Sequence, residues 1–425
     1  MRKCDLFDRV YVSNITVTPL EQEIINAEIF RRLKEIKQLG LAYLIYPNAS
    51  HSRFEHSLGT MHLAGKAAKS LGLSEEDAQY FRLAALLHDV GHGPFSHAFE
   101  EYLKERKTIR GHEDLTEWVI LNSEIKDMIG DSGFDIKKIA ELSVGKIGDK
   151  KLSFLNSLIL SVIDVDQMDF LVRDAYYTES RCGEIDVNEL TSSVKKVNQS
   201  KVAWGYQCLS SLKAFFQCKK DMYMSVYYSK KVRAIDIMIK AMLKFSDKEN
   251  DWCGFEEIED FKLLTDPYVL SKIQAISHLR PVNAEMGIAV RLYKDLLKKN
   301  LLKNVFEKIH FAHNLPCKDF IANAEEEILS ELEGSLNVDR RLVFVDVLHF
   351  SPGSVMSFTK TDKAEVYVLR NGDVTSVSDA KESLKQLLSV SYQVIRVYVA
   401  SEYVKRLREI REIVKKTINN LLIGE

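Results

Sequence analysis

Residues 86–100 read LLHDVGHGPFSHAFE, and this stretch decides the fold class. An apolar run typical of a helix leads directly into His88 and Asp89. Gly93-Pro94 then ends the segment, because proline cannot continue the helical hydrogen-bond ladder. An aspartate beside a histidine in an apolar helix is a costly buried charge unless it is paired or binds a metal. The stretch therefore predicts a helical protein with a metal site at the end of a helix.

The histidines cluster around this stretch. Seven of the eleven lie between positions 51 and 112, namely His51, His56, His62, His88, His92, His97 and His112. They could cap helices or pack in the core, or several could converge on a metal. His56 begins one predicted helix, and Asp166 lies on another, where its acids could equally form a solvated face. Together with His88 and Asp89 they make a two-histidine, two-aspartate set, which suits Mn, Fe, Co, Ni or Zn better than Ca.

Helical periodicity extends over the first three hundred residues. Apolar residues recur at three- and four-residue spacing in segments 21–40, 54–72 and 77–92, and we expect further helices near 152–173, 210–246 and 284–299. Segment 9–19 alternates and predicts a short hairpin. After about residue 335 the segments are rich in Val, Tyr and Ile, which predicts strands, with a tight turn at Asn371-Gly372 and a closing helix over 401–422. We expect a mainly α protein, with a helical domain over 1–300 and a small α/β lobe over 301–425.

Composition narrows the function classes. The 425 residues are 46% hydrophobic, and a formal net charge of −2 gives no global field that would attract nucleic acid or an anionic membrane. Neither a signal-type apolar run nor an apolar stretch of about 18 residues is visible, so we expect a cytoplasmic protein without a membrane partner. The six cysteines lack C-x-x-C spacing, and we expect reduced thiols rather than a disulfide framework or a zinc site.

Five strings, in order along the chain, resemble the HD superfamily of metal-dependent phosphohydrolases. They are RRLKEIKQLGLAYLIYPNASHSRFEHSLGT at 31–60, LLHDVGHGPFSHAFE at 86–100, GHE at 111–113, DVDQMDFLVRD at 164–174 and YYSKKV at 227–232. More narrowly, they are similar to its deoxynucleoside triphosphate triphosphohydrolase branch. Weaker similarity continues to VIRVY at 394–398, so the resemblance covers nearly the whole chain. The fold it implies is an HD-domain helical core with a small C-terminal α/β lobe.

The resemblance implies roles for the clustered residues. The residues that match the family's metal ligands are His56, His88, Asp89 and Asp166. His97 and Glu100 match the catalytic pair, three residues apart on one helical face. His92 and His112 match histidines that line the phosphates. Besides the transition metal, Mg could accompany the substrate.

A second set of residues matches the family's nucleotide-binding positions: Gln38, Leu39, Arg53, Phe170, Asp174, Lys220, Tyr228 and Lys230. By this resemblance Arg53 contacts a phosphate or the base, while Gln38 and Leu39 lie at the sugar and base. Asp174 reads the sugar 3′-hydroxyl and Tyr228 lies under the sugar. Lys220 stands where an arginine grips the terminal phosphate, and Lys230 shares the Tyr228 segment.

The sequence departs from the family pattern at the sugar and at the effector site. Gln167 stands where the vertebrate enzyme has a phosphate-binding lysine. Phe170 replaces a tyrosine that would crowd the sugar 2′ position, which weakens the expectation of deoxy selectivity. Asn26 and Lys34 replace residues that read an activating guanine nucleotide. We therefore do not expect that activation, while another nucleotide effector remains open.

The reaction implied is hydrolysis of (deoxy)nucleoside triphosphates at the α-phosphorus, giving a nucleoside and inorganic triphosphate. A metal-activated water attacks, and His97 protonates the leaving 5′-oxygen. A nucleotidase or phosphodiesterase on the same site is the first alternative, because metal and water serve any phosphoester. A nucleotide-sensing or nucleic-acid-binding scaffold is the second. Family members form dimers and tetramers, so we expect a homo-oligomer.

Overall fold

The computed structural model describes residues 4–106, 111–182, 184–278, 283–311, 318–354 and 365–423. Helices dominate the first three hundred of these. In chain order they are α1 (Pro19–Asn26), α2 (Glu28–Arg31), α3 (Arg53–Leu71), α4 (Glu75–Leu87), α5 (His97–Arg106), α6 (His112–Asn122), α7 (Ile125–Asp131), α8 (Ile136–Ser143), α9 (Asn156–Ile159), α10 (Val165–Thr178), α11 (Val187–Ser193), α12 (Leu209–Met222), α13 (Lys230–Asn250), α14 (Ile258–Leu263), α15 (Asp266–Ser277) and α16 (Ala284–Leu297). The C-terminal part adds α17 (Lys318–Leu336), α18 (Val377–Ala380), α19 (Glu382–Ser389) and α20 (Leu407–Ile423).

Strands form three small sheets among these helices. Their bounds are β1 (Cys4–Asp8), β2 (Ser13–Val17), β3 (Val194–Lys196), β4 (Val202–Gly205), β5 (Lys303–Phe311), β6 (Val343–Phe350), β7 (Tyr367–Arg370), β8 (Asp373–Ser376) and β9 (Tyr392–Val399). The sheet orders are β1-β2, β3-β4-β7-β8 and β5-β9-β6. The predicted mainly α class with a small α/β lobe is confirmed.

The lobe is joined to the helical part through a sheet. Strand β9 is buried along its whole length between β5 and β6, and α17 and α20 pack on each other beside this sheet. Asn371 and Gly372 both have positive φ and turn β7 into β8, as the dipeptide predicted. Strand β7 also pairs in parallel with β4, which belongs to the helical part. The predicted domain boundary at residue 300 stays a prediction, and the pairing of β4 with β7 joins strands from its two sides.

Three of the predicted helical segments are interrupted. The segment predicted over 152–173 breaks at residues 160–164, between α9 and α10. The segment predicted as one helix over 21–40 breaks at Ala27, whose ψ of 143° is extended, and ends in a 3-10 turn at Arg32–Glu35. Beyond it the Gln38 N–H donates to the His51 carbonyl, and the Arg53 N–H donates to the Ile36 carbonyl. Pairing with the chain before α3 therefore replaces the helical ladder.

The segment predicted as one helix over 210–246 breaks in a different way. Helix α12 widens into a π-helical turn over Tyr223–Tyr227, and the Tyr228 N–H donates five residues back, to the Tyr223 carbonyl. Ser229 then caps α13 through the Val232 N–H. A π turn adds residues per turn, so it shifts the phase of every side chain that follows it.

The predicted hairpin is present, with its first strand earlier than expected: β1 ends at Asp8, and residues 9–12 form the turn.

The expectation of reduced thiols is wrong for one pair, because Cys182 and Cys218 form a disulfide with their Cα atoms 4.7 Å apart. They lie 36 residues apart in sequence, so only the packing of the loop after α10 near α12 brings them together. Within the described ranges, no helix combines the length and the apolar character needed to span a bilayer.

Candidate metal centre and nucleotide site

Three helix ends meet at the predicted metal ligands. His56 lies in the first turn of α3, which a capping box between Ser52 and Glu55 begins. Asp166 lies in the first turn of α10. His88 and Asp89 directly follow the last residue of α4. Helix α3 packs against both α4 and α10, so these ends face one another.

The predicted ligand atoms surround one point. His56, His88 and Asp166 each offer an atom, and these atoms lie within 4.8 Å of one another. Asp166 Oδ1 is 2.9 Å from His56 Nε2 and 3.6 Å from His88 Nε2. The fourth predicted ligand, Asp89, lies 3.6 Å from His56 Nε2 and 3.4 Å from His88 Nε2.

The orientation of the two imidazoles fits a transition metal. His56 Nδ1 is 2.8 Å from Asp169 Oδ2, and His88 Nδ1 is 2.8 Å from the Ala85 carbonyl. Each ring is thereby fixed at Nδ1 and presents Nε2 to the shared point. Neither of these buried Nε2 atoms makes a hydrogen bond of good geometry with any described residue. Histidines that bind a metal usually donate one ring N–H to a carboxylate or a backbone carbonyl and leave the other ring nitrogen for the metal.

Asp169 is the residue behind His56 that sequence reasoning missed. It also accepts hydrogen bonds from Tyr11 Oη at 2.5 Å and from Arg173 Nε at 2.8 Å, so the N-terminal hairpin braces the centre. Burial raises the pKa of Asp169, but the charge of Arg173 and the hydrogen bonds outweigh it and lower that pKa below its usual range. A side chain at Gly59 would collide with Asp169 and Arg173, which explains a glycine there. The only sequence signal was the position three residues after Asp166.

A second group of possible ligands adjoins the first through Asp89. Asp89, His92 and His112 also offer atoms within 4.8 Å of one another, and the rings of the two histidines stack with centroids 4.2 Å apart. Arg53, predicted to contact a phosphate or the base, donates to Asp89 Oδ2 at 2.5 Å and to Ser96 Oγ at 2.7 Å. Its Nη2 is buried and has no partner among the described residues.

Glu100 lies between two histidines. Its Oε2 is 3.5 Å from His97 Nδ1 and 3.3 Å from His112 Nδ1, while Lys104 contacts Oε1 at 2.8 Å. Burial raises the pKa of Glu100, but both histidines outweigh it and lower that pKa far below its usual range. The pKa of His112 is raised, because Glu100 outweighs its burial. The side chain of His97 is 54% exposed, so it lies open to a bound molecule.

Two of the predicted sugar-side residues, Phe170 and Asp174, lie next to this centre. The Phe170 ring lies between the rings of His56 and Tyr227, at centroid distances of 6.5 and 6.2 Å. Asp174 is buried, with Oδ1 2.7 Å from His51 Nε2 and Oδ2 accepting from Tyr227 Oη at 2.7 Å. Sequence reasoning passed over both of these partners.

The base-side prediction names Gln38 and Leu39. Gln38 is buried and Leu39 is half-buried. The side-chain Oε1 of Gln38 is buried and has no partner among the described residues.

Three other predicted residues contact the C-terminal lobe instead. Tyr228 Oη donates to the His349 carbonyl at 2.9 Å, Lys230 Nζ pairs with Glu307 at 2.9 Å, and Lys220 Nζ lies 5.8 Å from the Tyr392 ring centroid. The nucleotide roles predicted for these three residues stay predictions.

Lys219 and Tyr227 are the residues on the α10 side. Lys219 is fully buried, and its Nζ lies 3.3 Å from the carbonyl oxygens of Val162 and Ser354. Burial lowers the pKa of Lys219 to about 8, although the charges of Asp164 and Asp166 oppose that shift. A buried cation therefore lies within the field of the metal ligands.

Comparisons with known proteins agree with this site. The HD domain family model matches residues 53–171. A Dictyostelium discoideum protein named deoxynucleoside triphosphate triphosphohydrolase SAMHD1 homolog is 27% identical over 427 residues, covering 94% of this chain and 77% of that protein. The uncharacterised protein YwfO of Bacillus subtilis is 30% identical over 308 residues, covering 69% of this chain and 68% of that one.

The fold also matches a solved structure. The crystal structure of a hypothetical protein from Aquifex aeolicus superposes with a TM-score of 0.77 at 26% identity, covering 96% of this chain and all of that one. The chain therefore belongs to the HD superfamily of metal-dependent phosphohydrolases and resembles its deoxynucleoside triphosphate triphosphohydrolase branch.

Proposed function

We propose that this protein hydrolyses deoxynucleoside or nucleoside triphosphates to a nucleoside and inorganic triphosphate. The observation that carries the proposal is the continuity of two sites. Phe170 lies between His56 of the metal group and Tyr227, and Tyr227 bonds to Asp174. A phosphate at the metal would therefore leave a sugar beside an aromatic ring and a buried carboxylate.

The residues around the metal group would bind the phosphates. A bound transition metal would supply Lewis acidity and an activated water. Arg53 Nη2, buried without a partner among the described residues, is an unused donor for a phosphate oxygen. Lys219 offers a buried positive charge beside Asp166, where it opposes the negative charge of a triphosphate. His112, whose pKa is raised, is a third residue that can offer positive charge to the phosphates.

His97 is the proposed proton donor to the leaving 5′-oxygen. Its ring is open to a bound molecule on one side and faces Glu100 on the other. The carboxylate orients the ring, as a general acid requires. Glu100 also faces His112, so one anion serves both histidines.

A nucleotidase or phosphodiesterase remains the alternative, and one observation favours it. The side chain of Gln167 is buried and donates to the Ser161 carbonyl at 2.6 Å and to Asp164 at 3.0 Å. It therefore contributes neither charge nor a free donor toward the substrate. A site with fewer cations suits a shorter phosphate chain.

The deciding experiment is metal analysis of the purified protein, followed by incubation with a panel of dNTPs and NTPs with Mn or Mg. Chromatography separates nucleoside, monophosphate and triphosphate. Nucleoside plus triphosphate, lost in Asp166→Ala and kept in the exposed control Asp127→Ala, is the expected result. Monophosphate products alone would establish the alternative. A homo-oligomer and a nucleotide effector are further proposals from the family resemblance, and a cytoplasmic location is one from the sequence. Dependence of turnover on a second nucleotide would reveal the effector.

A further inference from the structure

The loop that leads into His97 has an unusual backbone. Phe95 and Ser96 have φ values of +58° and +56°, and α5 begins at the next residue, His97. Residues other than glycine rarely adopt this left-handed backbone conformation, because their Cβ atom crowds the neighbouring carbonyl oxygen. Two such residues in succession persist only where the surroundings hold them.

A distant acid holds this loop. Asp266, the first residue of α15, accepts the Phe95 N–H at 2.6 Å on Oδ1 and the Lys37 N–H at 3.0 Å on Oδ2. It is only 4% exposed. The Ser96 hydroxyl donates to the Lys37 carbonyl at 3.1 Å and accepts from Arg53. The loop is thereby tied to two other segments of the site.

The start of α15 does not require this carboxylate. The side chain of Thr265 caps α15 by accepting the Tyr268 N–H. Both oxygens of Asp266 instead serve backbone groups more than 170 residues earlier in the chain. A buried carboxylate is costly, since burial disfavours its charged form, and here the two N–H groups partly offset that cost.

We propose that Asp266 is a positioning residue for His97. By holding the Phe95 amide, it keeps the left-handed turn that aims His97 at Glu100 and at the substrate. The inference rests on the proposed function, which makes His97 the proton donor. Without the carboxylate the loop relaxes toward ordinary φ values, and the imidazole moves while the metal ligands and the sugar-binding residues stay in place.

The test compares Asp266→Asn with the exposed control Asp260→Asn on α14, using the full chain. The amide isostere keeps the size but has one acceptor oxygen, so it cannot accept the Phe95 and Lys37 N–H groups on two separate atoms as Asp266 does. Hydrogen exchange measured by mass spectrometry on peptides covering 93–99 should be at least about tenfold faster in Asp266→Asn, and unchanged on β9 and in the control. The kcat for the best nucleotide should fall roughly 10- to 100-fold with KM within about twofold, because a small misplacement of a catalytic group slows chemistry more than binding.

Unchanged protection of 93–99, or equal changes in kcat and KM, overturns the proposal. Asp266→Glu keeps the charge but displaces the carboxylate, and it takes the place of the Asn variant if that one does not fold. The wild type could turn over no nucleotide while hydrogen exchange at 93–99 is still faster in Asp266→Asn. The proposed function would then be wrong, but the role of Asp266 in fixing the loop would be supported.

Discussion

Tyr227 donates a hydrogen bond to Asp174 at 2.7 Å, whereas its neighbour Tyr228 donates to the His349 carbonyl in the C-terminal lobe. Tyr227 is the last residue of the π turn at 223–227 and Tyr228 directly follows it. Consecutive residues of a helical turn point in directions about 100° apart, so these two neighbours contact different parts of the protein.

This pair gives the first prediction. Tyr227→Phe removes a hydrogen bond to a buried carboxylate, for which mutational series give about 1.5–3 kcal/mol. We expect KM for the substrate to rise roughly tenfold, measured by steady-state kinetics on the nucleotide identified in the panel. Tyr228→Phe is the matched control and should leave KM within about twofold. Equal effects of the two substitutions would contradict the assignment of the sugar site.

Lys219 and Lys220 form a second matched pair. Lys219→Met removes a buried cation near Asp166, and we expect kcat/KM to fall by about 100-fold or more, because charged contacts to phosphate in a water-poor site are strong. Lys220→Met should change it by less than about threefold. The measurement is kcat/KM at saturating metal. A larger loss in the Lys220 variant would reverse the assignment.

Asp169 should control metal affinity through His56. Asp169→Asn leaves the size unchanged but removes the anion that fixes the His56 ring at Nδ1. Substitutions of such supporting residues typically weaken metal binding by about 10- to 100-fold. We expect this loss in competition titrations against a coloured chelator, with Asp127→Asn on α7 as the exposed control. A variant that retains wild-type metal affinity would exclude the role.

The stability of the protein should depend on pH through Asp266. Burial raises the pKa of Asp266 to about 6, against 3.8 for the unfolded chain. Between these values the folded state binds a proton that the unfolded chain does not. The contribution of this group to stability therefore falls as pH rises from about 4 to 6 and stays low above.

The difference between the folded and unfolded pKa values of Asp266 corresponds to about 3 kcal/mol of stability, at 1.36 kcal/mol per pKa unit. Asp266→Asn cannot titrate, so the free energy of unfolding of the variant minus that of the wild type should rise across this window. Urea unfolding at pH 4, 5, 6 and 7 measures it, and the subtraction cancels other groups. A difference that is constant with pH would show that the pKa of Asp266 is not raised.

The disulfide between Cys182 and Cys218 predicts a thiol count and a stability change. Denatured protein should show two more thiols after reduction than before. Closing a loop of 36 residues stabilises the folded state by roughly 4 kcal/mol in the chain-entropy description. The urea midpoint should therefore fall in reductant and in Cys218→Ser, but less in Cys253→Ser, which removes a thiol that is not in a disulfide. An equal thiol count with and without reductant would contradict the bond.

Much of the site could be predicted from local pattern. The His88-Asp89 doublet after an apolar run, and His56 and Asp166 at helix starts, are signals within single segments. The structure brings atoms of His56, His88 and Asp166 within 4.8 Å of one another, with Asp89 near both histidines. The mainly α class followed from periodicity in the same way. Errors occurred where a helix breaks inside an apolar pattern, at Ala27, at 160–164 and at 223–227, because periodicity does not reveal where a ladder is interrupted.

The amino-acid sequence predicts which residues hold a metal, since metal ligands must be particular residue types and apolar spacing places them at helix ends. Which neighbours face those residues depends on how distant segments pack. Tyr227 rather than Tyr228, Asp169 behind His56, and Asp266 under the Phe95 amide each depend on hydrogen bonds or helix phase that no local pattern encodes. This is because the type of a residue can be read locally, whereas its burial and its hydrogen-bond partners come from segments far along the chain.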